Sequence, residues 1–231
     1  MMDKKKNTQR HFLGHRDDIH CLAVDPTGEF IATGEIGPRP RLCIWNAKTM
    51  KEVHQIISPM VKGIKHVAFS RDGKRLACSD MDNDHQVFVF DLTKKLSAGE
   101  TLKPLAFGSG SKSAIMSLGF NGSGDTVIAT CVRSVTFLKI NGSILESKSG
   151  TGWGKTPADT VMCQVLANDT LFTGTFLGEI IAWTDSTIVM RTSGHKGKIN
   201  CIHASKDGSL IVTGGADGNI ITWSFEGNAL E

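Results

Sequence analysis

Gly194-His195, then Ile199-Asn200-Cys201-Ile202, then Val212-Thr213-Gly214-Gly215-Ala216-Asp217-Gly218, then Trp223: this stretch decides the fold. It reads as a β-branched strand, a Gly-containing turn, a second strand, another turn, and a third strand ending on an aromatic. The same order recurs upstream four times. First strands are predicted at 19–24, 64–69, 115–120, 161–166 and 199–204, followed by turn residues such as Pro26-Thr27-Gly28, Arg71-Asp72-Gly73 and Lys206-Asp207-Gly208. Second strands are predicted at 30–33, 75–79, 126–131, 170–173 and 210–213. Third strands end at Trp45, Phe90, Leu138, Trp183 and Trp223, at intervals of 45, 48, 45 and 40 residues.

Those intervals match the ~40–45 residues of a four-stranded propeller blade. No window sustains a 3.6-residue period, so helix is expected to be close to absent. A two-layer sandwich also uses many short strands, but does not explain aromatics recurring at constant spacing. The fold class is therefore all-β, a β-propeller of antiparallel four-stranded blades. Five blades are assigned to 14–57, 58–107, 108–148, 149–193 and 194–231 within a unit covering 9–231, with 1–8 expected to be disordered. Seven such blades need roughly 280–315 residues, so the five are expected to form part of a larger propeller, an open arc. The competing outcome is a closed ring of five, in which residues 9–13 lend blade 5 a fourth strand.

Composition bounds the function. Hydrophobic residues are 40% and charged residues 21% of the 231, the balance of a globular protein, and 25 glycines suit many tight turns. No apolar run approaches the ~20 residues of a membrane helix, and residues 1–10 lack the apolar core of a secretory signal. Neither membrane association nor secretion is expected. The six cysteines are then expected to be reduced thiols. Cys21, Cys163 and Cys201 each fall third in a first strand, which suits a small buried residue better than a ligand, and no CxxC pair suggests zinc. A net charge of +3 does not argue for nucleic acid.

The segment from Gly194 to Trp223 resembles a complete WD repeat. In that family the Trp indole N–H donates to a Ser/Thr hydroxyl, which bonds a His, which bonds an Asp. The resemblance implies that His195, Thr213, Asp217 and Trp223 form this network, with a partial counterpart in His15, Thr33 and Trp45, where Pro38-Arg39-Pro40 replaces the Asp-bearing turn. Blade 4 keeps Thr173 and Trp183 without the His, and blades 2 and 3 have lost the Trp.

A sharper resemblance rests on blade 1: Gly14-His15-Arg16-Asp17-Asp18-Ile19, Cys21-Leu22-Ala23, Ile31-Ala32-Thr33-Gly34 and Trp45. Blade 2 adds Asp80-Met81-Asp82-Asn83-Asp84-His85, and blade 4 adds Thr173-Gly174, Gly178 and Trp183. Together these are similar to the first propeller of the echinoderm microtubule-associated protein-like family. That resemblance implies a non-enzymatic, cytoplasmic, cytoskeletal protein whose partner is tubulin or the microtubule. The alternative is a general WD-repeat scaffold in another intracellular complex.

Other motifs are weaker. Gly150 to Thr156 lacks the first glycine of a phosphate loop, because position 149 is Ser149, and no helix follows. Gly108 to Ser113 fails similarly, and both are expected to be flexible inter-blade loops. The acidic turn around His85 lacks the Gly and distal Glu of a calcium loop. No cofactor or metal is expected. Candidate partner-binding residues are Asp17 and Asp18, for which turn and strand-cap chemistry is the favoured reading, and the basic Arg39, Arg41, Lys94 and Lys95. Arg39 and Arg41, flanked by prolines, form either a stiff protrusion suited to an acidic partner or a solvated loop.

Overall fold

A computed structural model describes residues 2–3, 8–57, 59–94, 100–226 and 229–230. At the N-terminus, β1 (Met2–Asp3) pairs with β2 (Thr8–Gln9). Met2, Asp3 and Thr8 fall in the segment 1–8 expected to be disordered; the short ladder satisfies backbone groups without needing apolar side chains.

Five four-stranded units follow. Blade 1 is β3 (Ile19–Val24), β4 (Phe30–Glu35), β5 (Arg41–Asn46) and β6 (Glu52–Ile57). Blade 2 is β7 (Ile64–Phe69), β8 (Arg75–Asp80), β9 (Gln86–Asp91) and β10 (Ala106–Ser109). Blade 3 is β11 (Ile115–Phe120), β12 (Thr126–Cys131), β13 (Ser134–Asn141) and β14 (Ile144–Ser149). Blade 4 is β15 (Val161–Ala167), β16 (Thr170–Thr175), β17 (Glu179–Thr184) and β18 (Thr187–Ser193). Blade 5 is β19 (Ile199–Ala204), β20 (Leu210–Gly215), β21 (Ile220–Glu226) and β22 (Ala229–Leu230). Each blade is an antiparallel meander, and its first strand packs beside the first strand of the next blade.

A repeated bulge shapes the inner strands. In all five blades the register slips after the first residue of the inner strand, as between Ile19 and Cys21 or Ile199 and Cys201. The bulge turns the third side chain towards the next blade. There it meets the carbonyl of that blade's first residue: Cys21 Sγ to Ile64 O at 3.5 Å, His66 Nε2 to Ile115 O at 3.1 Å, and Cys163 Sγ to Ile199 O at 3.7 Å. Ile64, Ile115, Val161 and Ile199 are accordingly buried. Gly34 and Gly174 face the same joint, and a Cβ on either would fall 2.7 Å from the incoming isoleucine.

The joint stops at both ends of the array. Ile19 is 51% exposed and Cys201 is exposed, although their counterparts are covered. Leu22 and Val24 on blade 1, and Leu210, Val212 and Ile220 on blade 5, are exposed too. Among the described residues no ladder or close strand packing joins blade 5 to blade 1. Gln9 pairs with Met2, and β22 supplies the fourth strand of blade 5, so the ring closed by residues 9–13 does not form. The arc is open. The shared burial expected for Cys21, Cys163 and Cys201 is likewise corrected. Cys21 and Cys163 are half-buried and Cys201 is exposed, because this position is covered by the following blade and not by its own.

Gly108 and Ser109 belong to β10, not to a loop. Phe107 bridges in parallel to Ile144 and its N–H donates to Ser143 O at 3.2 Å, fusing blades 2 and 3 into one eight-stranded sheet. The seam is close at Gly108, where a Cβ would approach Leu145 Cβ to 3.1 Å and press it outward. The loop after β14 is also anchored and not free. Gly150 N–H donates to Val135 O at 2.7 Å, and Trp153 packs edge-on against Trp183 at 5.5 Å.

Candidate functional site

The polar network of blade 5 is complete. Trp223 Nε1–H donates to Thr213 Oγ1 at 3.0 Å; His195 Nε2 lies 2.9 Å from Thr213 Oγ1, and His195 Nδ1 lies 2.9 Å from Asp217 Oδ1. With Nδ1–H given to the carboxylate, Nε2 is left to accept the Thr hydroxyl proton. Asp217 also accepts the N–H groups of Lys196 and Asn219. The His195 hydrogen bond, with that backbone support, holds its carboxyl well below the usual range.

Blade 1 repeats this arrangement with a residue that the sequence reading missed. Trp45 Nε1–H donates to Thr33 Oγ1 at 3.1 Å, and His15 spans Thr33 Oγ1 at 2.6 Å and Glu35 Oε1 at 2.9 Å. Glu35 therefore stands where Asp217 stands, reaching back from the end of β4 instead of from the following turn. Burial would raise its carboxyl, but hydrogen bonds from Arg41 N–H, Arg16 N–H and His15 bring it below the usual range. An acid two residues after the network threonine was the available signal. Phe12 stacks on Trp45 at 4.8 Å and closes the open side.

Carboxylate, imidazole and hydroxyl in series is also the order of a hydrolase triad. Here Thr213 and Thr33 are buried, and each hydroxyl already accepts an indole N–H, so a substrate carbonyl cannot reach either oxygen. The networks tie the loop that enters a blade to its second and third strands.

The other blades replace the network. Blades 2 and 3 put Cys78 with Phe90 and Ala129 with Leu138 at the Thr and Trp positions, all buried. Blade 4 keeps Trp183 Nε1–H to Thr173 Oγ1 at 2.9 Å. Trp153 packs edge-on against the Trp183 ring under the Arg191 guanidinium at 5.9 Å, and Arg191 pairs with Glu179 at 2.5 Å. Asp80 occupies the place of Glu35 without a His to pair with. Burial raises its carboxyl to about 6, with Asp82 and Asp84 adding repulsion and the Gln86 N–H opposing.

The expected partner-binding residues do not converge. Asp17 and Asp18 lie in the loop entering blade 1, where Asp17 Oδ1 accepts Asp18 N–H and Asp18 O accepts Ile36 N–H. Arg39 is exposed in the turn between β4 and β5, at a positive φ of 56°. Arg41 is half-buried and donates to Gly14 O at 2.8 Å, which takes it out of any protruding basic pair; its place at the start of β5 fixes it against the loop that carries His15. Lys94 lies in the turn after β9, on the opposite rim from Arg39, because turns after third strands and turns after second strands leave a meander at opposite ends. Lys95 lies outside the described residues.

A feature not visible in the sequence is a cleft of about 950 Å³ between blades 3 and 4. Ile128, Phe137, Leu171 and Trp183 form its floor, with Lys139 and Asp185 on its rim. The gap between blades 1 and 2 is about 140 Å³. The outer strand of blade 3 is bonded to blade 2 through Phe107 and Ile144.

Comparison with known proteins fits this architecture. The family model described as "Echinoderm microtubule-associated protein first beta-propeller" matches residues 8–231. Echinoderm microtubule-associated protein-like 1 of Homo sapiens is 31% identical over 95% of this chain and 28% of its own length. Echinoderm microtubule-associated protein-like 2 of Homo sapiens is 27% identical over 98% of this chain and 36% of its own. The chain thus spans about a third of the curated relatives it matches. Among solved structures, the β-propeller domain of Cps50 (Swd1) from Myceliophteria thermophila superposes with a TM-score of 0.76 at 17% identity, covering 92% of this chain and 66% of that one.

Proposed function

This chain belongs to the family of the echinoderm microtubule-associated protein first β-propeller, and from that membership we propose a non-catalytic platform that binds tubulin or the microtubule lattice. The observation that carries the reading is the family match across residues 8–231, supported by relatives whose names mark them as microtubule-associated. The geometry is compatible with it. The polar side chains that resemble a catalytic series are buried within blades, and the residues left to meet a partner are turns at the two rims. The cytoskeleton of the cytoplasm is the corresponding location.

Co-sedimentation with polymerised microtubules tests the proposal. The chain is expected to pellet with microtubules at low ionic strength and to weaken towards about 0.15 M salt, because rim charges are screened over a Debye length. A chain that stays in the supernatant at low salt, while folded, overturns it.

A further inference from the structure

The two rims of blades 3 to 5 carry opposite charge. One rim is built from the loops that enter these blades, residues 110–114, 150–160 and 194–198, and from the turns after their second strands, 132–133, 176–178 and 216–219. It carries Lys112, Arg133, Lys155, Lys196 and Lys198, all exposed. Its two carboxylates are committed to their own backbone: Asp159 accepts Thr160 and Leu177 N–H, and Asp217 accepts Lys196 and Asn219 N–H. The opposite rim of the same blades carries Asp125, Asp169, Asp185 and Asp207 against Lys206 in its turns. On blades 1 and 2 the same rim is mixed, with Asp17, Asp18, Asp82 and Asp84 standing among Arg16, Arg39 and Lys62, and Lys62 paired to Asp82 at 2.7 Å, so the unbalanced positive sector lies on blades 3 to 5.

Within this basic sector two large apolar side chains stand in solvent, Phe176 at 52% and Leu177 at 68% exposure, with Val132 exposed in the neighbouring turn. The turn that holds them is fixed. Phe176 N–H donates to Thr160 O at 2.8 Å, Leu177 N–H to Asp159 Oδ2 at 2.8 Å, and Gly178 O accepts the Gly194 and His195 N–H groups, each at 3.0 Å. Gly178, at φ 90°, abuts the His195 and Gly197 carbonyls so closely that no side chain fits there. Apolar side chains on a rigid turn lose little freedom on binding, and their grouping marks an interaction surface.

We infer that this rim of blades 3 to 5 binds an acidic peptide segment of a protein partner, with an apolar side chain of that segment seated on Phe176 and Leu177 and its carboxylates held by Lys112, Arg133, Lys155, Lys196 and Lys198. The inference deepens the proposed function by giving the platform a working face, and stands in place of Arg39, Arg41 and Lys94, which do not converge. Acidic charge on the far rim disfavours the same partner there and orients the disc.

The test uses fluorescence anisotropy on the full chain with three labelled dodecapeptides: one of glutamate and glycine with a central phenylalanine, the same with serine for phenylalanine, and one with lysine for glutamate. The phenylalanine–glutamate peptide should bind most tightly and the lysine peptide not at all. Lys196→Glu with Lys198→Glu should weaken it about tenfold, the effect of about 1.4 kcal/mol from two rim charges. Leu177→Ser should remove the preference for phenylalanine over serine. Lys206→Glu on the far rim should change nothing, and Lys112→Glu with Arg133→Glu gives a second pair should the first lower the unfolding midpoint. Equal loss from the Lys206→Glu control, no binding at low salt, or tighter binding of a single-stranded RNA each overturns the inference. Microtubule co-sedimentation of the same variants separates the two claims. If the chain pellets and these variants pellet equally, the face is wrong and the function stands. If the peptide binds but the chain does not pellet, the face stands and the tubulin reading falls.

Discussion

Thr213 is the crossing point of three groups, the Trp223 indole, the His195 ring and its own hydroxyl proton, all out of water. Thr213→Val keeps the volume and leaves both an indole N–H and an imidazole nitrogen unsatisfied. It is expected to cost about 2 kcal/mol in chemical denaturation. His195→Ala and Asp217→Ala should each destabilise, and the double variant by less than their sum, since they break one chain of bonds; additive losses would show two independent sites. Asp80 is the converse case, a carboxylate at the Glu35 position without its imidazole. Its carboxyl is raised to about 6 by burial, so the folded chain retains a proton that the unfolded chain has released. The resulting stabilisation is full below the ordinary carboxylate range and is lost as pH rises through about 6. Asp80→Asn retains Oδ1 for the Gln86 N–H, which it accepts at 3.0 Å. Its unfolding midpoint should exceed that of the parent at about pH 7.5, with the difference shrinking towards about pH 4. A constant difference across that range would mean that Asp80 does not titrate as its burial implies.

Among the elements, β10 and β14 show what strand propensity conceals. The first three strands of every blade were legible because β-branched runs end in turns of Gly, Asp and Asn. Fourth strands were not, since Glu52–Ile57 and Thr187–Ser193 carry mixed polarity, and Ala106–Ser109 is short and glycine-bearing. Gly108 looked like loop sequence; in the fold it is the close approach that lets blade 3 bond to blade 2. Glu35 was missed for a related reason: the acid was sought in the turn after the threonine strand, whereas blade 1 carries it within the strand. The basic pair Arg39 and Arg41 looked contiguous, yet strand β5 begins between exposed and half-buried positions and turns Arg41 inward. Gly108→Val should break the seam between β10 and β14 at a cost of about 1–3 kcal/mol from overpacking. Native-state hydrogen exchange should then speed up at Phe107 with little change at β15 to β18. Uniform acceleration across the chain would show that the seam is not a local unit.

At the scale of the whole molecule, the arc repeats one joint four times and presents its two unused halves to solvent. Ile19 with Leu22 on one end, and Cys201 with Val212 and Ile220 on the other, have covered counterparts at every internal joint. Ile220, 79% exposed, touches no internal core. Unpartnered sheet faces of this kind associate. Ile220→Ser with Val212→Ser should therefore lower self-association in sedimentation velocity while leaving the unfolding free energy within about 0.5 kcal/mol of the parent. An unchanged association would place the contact elsewhere. The rims are a separate matter, since they lie at the two ends of the blades and leave these faces free. Hydrogen–deuterium exchange of the chain alone and on polymerised microtubules tests the account most directly. It predicts slower exchange in the microtubule-bound chain at 110–114, 132–133, 154–160, 176–178 and 196–198, with the turns bearing Asp125, Asp169, Asp185 and Asp207 unchanged. Protection at those acidic turns, or none on the basic rim of a chain that has pelleted, would contradict it.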